Sequence, residues 1–117
     1  NGTWYTDTSA ALAGGASFTS TARDMTAAVS GTASTSGILR EYRVSVAQDV
    51  AFTLYLEVST DNSTFRRIKQ VAGAQNVTAG LYIAEIVEAP KWRYYRYVIV
   101  NGAGAAAHTT GCSMIVG

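Results

Sequence analysis

The sequence has little of what small proteins use for cross-links, metal sites or catalysis. It contains one cysteine, Cys112, and one histidine, His108, in 117 residues. A single cysteine excludes an internal disulfide, and this pair cannot supply the four ligands of a structural zinc site. No apolar run approaches the ~20 residues of a membrane-spanning helix. The chain must therefore fold on an ordinary hydrophobic core, and no cofactor is expected.

Charge is also scarce, since Asp, Glu, Lys and Arg make up only 15% of the chain and the net charge is +1. This balance argues against a strongly electrostatic nucleic-acid binder. Hydrophobic residues reach 48%, including 7 Tyr, 3 Phe and 2 Trp, which is unlike an intrinsically disordered chain. The length is that of one domain. No signal peptide is visible, and because the chain begins at Asn1 we expect a processed product or an excised segment.

Alternation of apolar and polar residues predicts β-strands. In residues 51–59, Phe52, Leu54, Leu56 and Val58 share one face, with polar residues or tyrosine between them, as in a half-buried strand. Similar patterns predict strands over 16–23, 38–46, 65–71, 81–88, 92–100 and 112–116. About seven strands separated by turn residues, without a confident amphipathic helix, predict an antiparallel β-sandwich or a closed barrel.

The first fifteen residues lack a clear period and are predicted to form an extended N-terminal arm, with the domain proper over 16–117. Trp4 and Tyr5 would expose a large apolar area in a free arm, so we expect the arm to dock on its own domain or on a neighbouring subunit. Residues 24–37 are small and polar and are predicted to be a loop or an irregular edge strand. A short helix over 24–29, capped by Asp24, is the alternative.

Few residues suggest chemistry. His108 and Cys112 could form a nucleophilic pair, but no carboxylate or amide is near in sequence to orient the imidazole, so we expect a buried cysteine and a solvated histidine. Asp61 and Asn62 could hold calcium, but a turn is the favoured interpretation. The sequence therefore predicts no enzyme, no catalytic residue and no metal site.

Basic residues are interleaved with aromatic ones in two predicted strands, as in a platform for single-stranded nucleic acid. Glutamates of neighbouring strands offer a simpler interpretation, in which cross-strand ion pairs explain both sets. The basic residues are Arg66, Arg67, Lys69, Lys91, Arg93 and Arg96, and the glutamates are Glu41, Glu57, Glu85 and Glu88. We favour ion pairs and expect no nucleic-acid partner.

Two stretches resemble galactose-binding-like, discoidin-type β-sandwiches. In that pattern a strand ends in Ser-x-Asp-[Gly/Asn]-x-x-[Trp/Phe], and a later strand carries Arg-Tyr-x-Arg. The matching residues are Ser59, Asp61, Asn62 and Phe65, then Arg93, Tyr94 and Arg96. The resemblance implies an all-β fold, a single antiparallel sandwich of about seven to eight strands with jelly-roll or galactose-binding-like topology.

The whole chain is more similar to small β-domains in virion proteins of tailed bacteriophages. Those often begin with Trp-x-x-x-Ser-x-x-Leu-x-x-Gly-Gly, and here Trp4, Ser9, Leu12, Gly14 and Gly15 follow that order with one extra residue before the serine. This resemblance implies a non-enzymatic structural protein of the virion. We expect a capsid decoration (cement) protein on the capsid surface, although a tail or fibre module is also open.

Such a protein has as partners the major capsid protein and copies of itself, which we expect as a homotrimer, with no membrane partner. Apolar residues outside the periodic strands are the candidate interface: Trp4, Tyr5, Leu12, Ala103, Ala105, Ala106 and Ala107. Removal of residues 1–13 is expected to abolish particle binding and to leave the fold intact.

The alternative function is that of a carbohydrate-binding module of a tail fibre or a secreted protein. Aromatic residues on the exposed side of the strands would stack on sugar rings. The candidates are Tyr55, Tyr82, Trp92, Tyr95 and Tyr97.

Overall fold

The computed structural model describes residues 4–25, 41–75, 81–88 and 91–116. These residues form β-strands and, within those ranges, no helix. The strands are β1 (Tyr5–Thr8), β2 (Ser17–Thr19), β3 (Arg23–Asp24), β4 (Glu41–Gln48), β5 (Phe52–Ser59), β6 (Arg66–Ala72), β7 (Ala74–Gln75), β8 (Tyr82–Glu88), β9 (Tyr94–Asn101) and β10 (Thr109–Val116). It follows that the part of the chain described here contains no helix able to cross a bilayer.

The strands form two antiparallel sheets that face each other. The first sheet has the order β1-β10-β4-β8-β7, and the second has the order β2-β9-β5-β6, with β3 also paired to β9. All eight pairings between strands are antiparallel. The predicted all-β antiparallel sandwich is confirmed.

The core lies between the two sheets and follows the period-2 pattern of the sequence. In β5, Phe52, Leu54, Leu56 and Val58 are all buried, as predicted. They pack with inward residues of the first sheet, among them Tyr42, Val44, Val46 and Ile86. Each apolar side chain that becomes fully buried stabilises the fold by about 1.5–3 kcal/mol. The predicted inward residue Ile38 lies outside the described residues.

The strand predicted over 16–23 is divided into β2 and β3 by Ser20. The Ser20 hydroxyl oxygen accepts a hydrogen bond from the Tyr97 N–H at 3.0 Å, and the Ser20 N–H donates to the Tyr97 carbonyl at 2.9 Å. The side chain thus takes the place of a backbone acceptor and interrupts the ladder. Asp24, the proposed helix cap, lies in β3, and 26–29 lie outside the described residues.

The starts of the last two strands also differ from the prediction, by two and three residues. The strand predicted from 92 begins at Tyr94, because the N–H groups of Lys91 and Trp92 donate to the Tyr95 hydroxyl instead of a neighbouring strand. The last strand begins at Thr109 rather than at 112. Its first residues pair with the end of β4, a partner that local sequence does not reveal.

The described part of the predicted arm docks on its own domain. Strand β1 forms the edge of the first sheet through pairing with β10. Farther along, Leu12 and Ala106 pair in an isolated bridge, and the Asn101 amide donates to the carbonyls of Leu12 and Ala13. The segment therefore passes from one sheet to the other across the end of the sandwich.

This docking corrects the expectation that residues 1–13 are dispensable for folding. Their removal would take away an edge strand, the backbone partners of Asn101 and the buried side chain of Asp7. Buried polar groups left without partners cost about 1–3 kcal/mol each. We therefore expect the truncated chain to be strongly destabilised.

Gly111 in β10 makes room for a side chain from the opposite sheet. A Cβ at this position would lie 2.6 Å from the Tyr97 hydroxyl oxygen and 3.1 Å from Cγ2 of Thr8. The Tyr97 hydroxyl is fixed by a hydrogen bond to Asp7, so it cannot move aside without losing that bond. Only glycine fits this contact between the sheets.

Gly111→Ala should therefore destabilise the protein by about 1–3 kcal/mol, the usual cost of overpacking a core. Gly104→Ala is the matched control, because its added Cβ would be 3.7 Å from the nearest Val50 methyl carbon, an ordinary contact. Chemical denaturation followed by tryptophan fluorescence measures both. Equal unfolding midpoints for the two variants would show that Gly111 is not required for this packing.

Candidate functional site

The most buried ionic group of the described structure is the Asp7 carboxylate at the edge of the sandwich. Its side chain is only 4% exposed and pairs with Arg23 at 2.7 Å. The second carboxylate oxygen accepts hydrogen bonds from the Tyr97 hydroxyl at 2.9 Å and the Ser113 hydroxyl at 2.8 Å. These three donors come from β3, β9 and β10, so one carboxylate joins both sheets.

The two tyrosines near this carboxylate are held in their neutral forms. Burial, and then the hydrogen bond to Asp7, raise the pKa of the Tyr97 hydroxyl above its ordinary value. Burial is also the main cause that raises the pKa of Tyr42. Both phenols keep their protons at neutral pH, and both oxygens of Asp7 are occupied. The geometry is that of a structural network between the sheets.

A second buried network holds the loop that precedes β10. The Gln48 amide donates to the Asn101 side-chain oxygen at 2.9 Å, and the Thr109 hydroxyl donates to the Gln48 side-chain oxygen at 3.0 Å. Asn101 in turn binds the backbone of Leu12 and Ala13 at 3.0 Å. The network fixes the position of the alanine-rich loop against the N-terminal segment.

The candidate interface residues divide into two groups. Trp4 and Tyr5 are 47% and 48% exposed, and Ala103, Ala105 and Ala107 are exposed on the loop. The remaining two, Leu12 and Ala106, pair with each other inside the domain, where Ala106 is buried and Leu12 packs against the core. Five of the seven candidate interface residues are therefore exposed and could contact another molecule.

The two exposed groups lie at opposite ends of the β1–β10 pairing. Tyr5 is opposite Ser113, whereas the loop enters β10 at Thr109. Four residues of strand correspond to roughly 14 Å at ~3.4 Å per residue. The interface role of these residues stays a prediction.

The structure corrects two of the five aromatic residues predicted to stack on a sugar. Tyr95 and Tyr97 are both 0% exposed, and they point into the core together with Ile99. The sequence Tyr-Tyr-Arg-Tyr places aromatic rings on both faces of β9, so alternation did not show which face is buried. No sugar can reach these two rings.

The other three aromatic candidates are half-buried, with different surroundings. The Arg67 guanidinium carbon lies 4.0 Å from the ring centre of Tyr55 and covers it. Tyr82 and Trp92 pack against the core. Trp92 also lines a pocket, so it is the candidate with open space beside it.

That pocket lies between the turn after β5 and the segment before β9, and its volume is about 170 Å³. It is lined by Val58, Ser59, Thr60, Thr64, Arg66 and Trp92. The N–H groups of Lys91 and Trp92 donate to the buried Tyr95 hydroxyl at 2.9 and 3.3 Å. Tyr95 therefore positions Trp92.

The turn that forms one wall of the pocket is the predicted Asp-Asn turn. One oxygen of Asp61 accepts hydrogen bonds from the Ser59 hydroxyl and the N–H groups of Ser63 and Thr64, each at 2.9 Å. Asn62 has a φ of 61°, which asparagine tolerates better than most residues. The backbone and hydroxyl hydrogen bonds lower the pKa of Asp61. The carboxylate works as a turn acceptor.

Four of the six interleaved basic residues form ion pairs, but only Arg67 and Arg96 do so across neighbouring strands as the sequence suggested. Glu57 accepts from Arg67 and Arg96 at 2.8 Å each, and Lys69 pairs with Glu88 at 2.7 Å. Arg93 pairs with Asp24 at 3.4 Å. Burial opposes ionisation of Glu57, but the hydrogen bonds and charges of the two arginines outweigh it and lower the pKa.

The structure places His108 and Cys112 in different surroundings. His108 is exposed, as expected, whereas Cys112 is half-buried rather than buried, because its thiol faces the Thr6 hydroxyl of the edge strand β1 at 3.9 Å. Within 4–25, 41–75, 81–88 and 91–116, no three His, Cys, Asp or Glu side chains are grouped as metal ligands would be.

Sequence reasoning did not single out Asp7, Arg23, Gln48 or Asn101, which organise the two buried networks. Isolated polar residues among small ones carry no periodic signal. Their partners are distant in the chain, such as Arg23 and Ser113, which are 90 residues apart. Arg66 was noted only as one member of a basic strand.

Comparison with known proteins identifies a matching family and a similar solved structure. The family described as the N-terminal domain of the uncharacterised protein YqxG matches residues 1–113. The crystal structure of PBSX exported protein XepA has a TM-score of 0.70 at 21% identity, over 97% of this chain and 36% of that one. The chain thus spans about a third of that protein. No curated protein matches.

Asp7→Asn should destabilise the protein by about 2–4 kcal/mol, because it leaves the Arg23 charge without its counter-ion in a largely buried setting. Glu41→Gln is the control, since Glu41 and Arg43 form an exposed pair worth less than about 1 kcal/mol. Urea denaturation of both variants checks the prediction. A loss for Asp7→Asn no larger than for Glu41→Gln would contradict it.

Glu57→Gln should reduce the stability difference between neutral and acidic solution. The pKa of Glu57 is lowered by folding from an ordinary value of 4.5, so its contribution is present above that value and is lost as pH falls through the lowered pKa. The variant should be about 1 kcal/mol less stable at pH 7, since Arg67 is half exposed. Below the folded-state pKa the two proteins should converge.

Thermal unfolding as a function of pH measures this difference. Glu85→Gln is the control, because Glu85 is exposed on β8 and its replacement should change stability by less than about 0.5 kcal/mol. A wild-type advantage over Glu57→Gln that persists unchanged into strong acid would disprove the assignment.

Proposed function

The chain belongs to the family of the N-terminal domain of YqxG, an uncharacterised protein, and given its fold we propose that it is a non-enzymatic structural module of a phage-related protein. The observation that carries the proposal is the similarity along 97% of the chain to part of an exported protein of phage PBSX. The similarity covers nearly the whole of this chain but only about a third of the exported protein. This supports the interpretation of the chain as a modular unit.

The more specific role that we propose is capsid decoration, on the outside of a virion. Its partners would be the major capsid protein and copies of this chain, arranged as a homotrimer. Exposed aromatic residues at the sheet edge support this role, since Trp4 and Tyr5 lie at the start of β1. Edge strands offer unpaired backbone groups and apolar side chains to a neighbouring chain.

A decoration protein needs little area in each contact. Several weak contacts to a symmetric lattice add up, because the second and third contacts form at high effective concentration. A 12.3-kDa domain with low charge and a loop of exposed alanines suits close approach to neighbouring subunits.

The absence of enzymatic activity is part of the proposal. The Asp7 and Glu57 carboxylates are held by arginines and hydroxyls, and Asp61 closes a turn. These engagements favour structural roles for the acidic residues. Neither nucleic acid nor membrane is proposed as a partner.

Association with particles tests the proposal, with Trp4→Ser as the informative variant. Phage particles released from the strain that encodes the chain are pelleted through a sucrose cushion, and the chain is quantified by immunoblot against the major capsid protein. We expect the wild type in the pellet at a fixed ratio to capsid protein, and at least about tenfold less of Trp4→Ser, as for a central interface aromatic.

Val87→Ser is the matched control, because Val87 is a similarly exposed apolar residue on β8. It should pellet like the wild type, and both variants should keep wild-type stability within about 0.5 kcal/mol. Wild-type chain that stays in the supernatant while capsid protein pellets would exclude a virion role.

A further inference from the structure

We propose that the pocket beside Trp92 binds a single sugar ring that carries a carboxylate or a phosphate group. The inference does not depend on particle association, since neither Trp4 nor Tyr5 lines the pocket. Of the five aromatic residues in the carbohydrate-binding alternative, the proposal retains Trp92. It adds Arg66 as the residue that sets specificity.

The size of the pocket sets the size of the ligand. Its volume of about 170 Å³ is below the ~300 Å³ at which sites for drug-sized ligands begin. The pocket therefore has room for one ring-sized unit, which favours a monosaccharide or the end of a glycan. The walls combine one indole with hydroxyls of Thr60 and Thr64, the usual mixture of an apolar face and a few polar groups.

Charge selects an anionic sugar. Of the lysines and arginines in the described ranges, only Arg66 and Lys91 form no ion pair there. Arg66 lines the pocket, and Lys91 directly precedes Trp92. An arginine guanidinium offers a planar fork of donors that matches carboxylate and phosphate. The neighbouring residue Asp61 does not line the pocket, and one of its oxygens already accepts three hydrogen bonds.

The walls are held in place before any ligand arrives. The backbone at Trp92 is fixed by the Tyr95 hydroxyl, and the indole packs against the core. On the other side, Ser59 accepts from the N–H groups of Asp61 and Asn62 at 3.1 and 3.0 Å, which fixes the turn. A preorganised site loses little entropy on binding.

Titration by NMR tests the proposal on the intact chain. The protein has two tryptophans, Trp4 and Trp92, so its two indole N–H signals report on the pocket and on an internal control, with Trp4→Phe for assignment. The probes are D-glucuronate, D-glucose 6-phosphate and neutral D-glucose, each up to about 50 mM, well above the ~1 mM range of a weak site.

We expect a saturable shift of the Trp92 signal with at least one anionic sugar, no matching shift of the Trp4 signal, and at least tenfold weaker binding of glucose.

Arg66→Gln should weaken binding of the anionic sugar about tenfold, as for loss of a charge-assisted hydrogen bond. Arg43→Gln, which replaces a half-exposed arginine on β4 outside the pocket, should leave binding unchanged. A response to glucuronate alone identifies a carboxylate ligand, and one to glucose 6-phosphate alone identifies a phosphate ligand.

Three results would overturn the proposal. They are an unchanged Trp92 signal with every probe, equal affinity for neutral glucose, and undiminished binding by Arg66→Gln. Because Arg66 is exposed, its replacement should not disturb the fold, and the spectrum of the free variant verifies this.

Discussion

The sandwich depends on one buried carboxylate between its sheets. An ionised group in a largely buried position costs several kcal/mol unless donors surround it. Asp7 meets that requirement only when Arg23 and Tyr97 of the second sheet and Ser113 of the first are all in place. The network therefore fixes how the two sheets lie relative to each other, which apolar burial alone determines only loosely.

Other features follow from this constraint. Tyr97 must reach across the core to Asp7, so β10 needs a glycine, Gly111, where the ring passes. Because Asp7 lies in β1, the N-terminal segment becomes part of the fold rather than a free arm. Asn101 then holds its continuation by two backbone hydrogen bonds. What remains partly exposed at this edge is the pair Trp4 and Tyr5, with the Arg23 guanidinium carbon 4.3 Å from the centre of the Tyr5 ring.

The engagement of polar groups in structure leaves two surfaces for function. One is the aromatic edge at Trp4 and Tyr5, which suits contact with another protein. The other is the pocket at Trp92 and Arg66, whose open basic group suits an anionic sugar. The two proposals are compatible, since a protein bound to a particle through one surface can present the other to a glycan.

The sequence alone determined the fold class and much of the core. Alternation in β5 correctly identified Phe52, Leu54, Leu56 and Val58 as core residues, because successive side chains of a strand point to opposite faces. Alternation failed in β9, where aromatic residues on both faces hid the burial of Tyr95 and Tyr97. The buried networks and the pocket were decided by tertiary structure, because their members are distant in the chain. Asp7 and Tyr97 meet only after both sheets have formed, and Trp92 reaches Thr60 and Thr64 only through the pairing of β5 with β9.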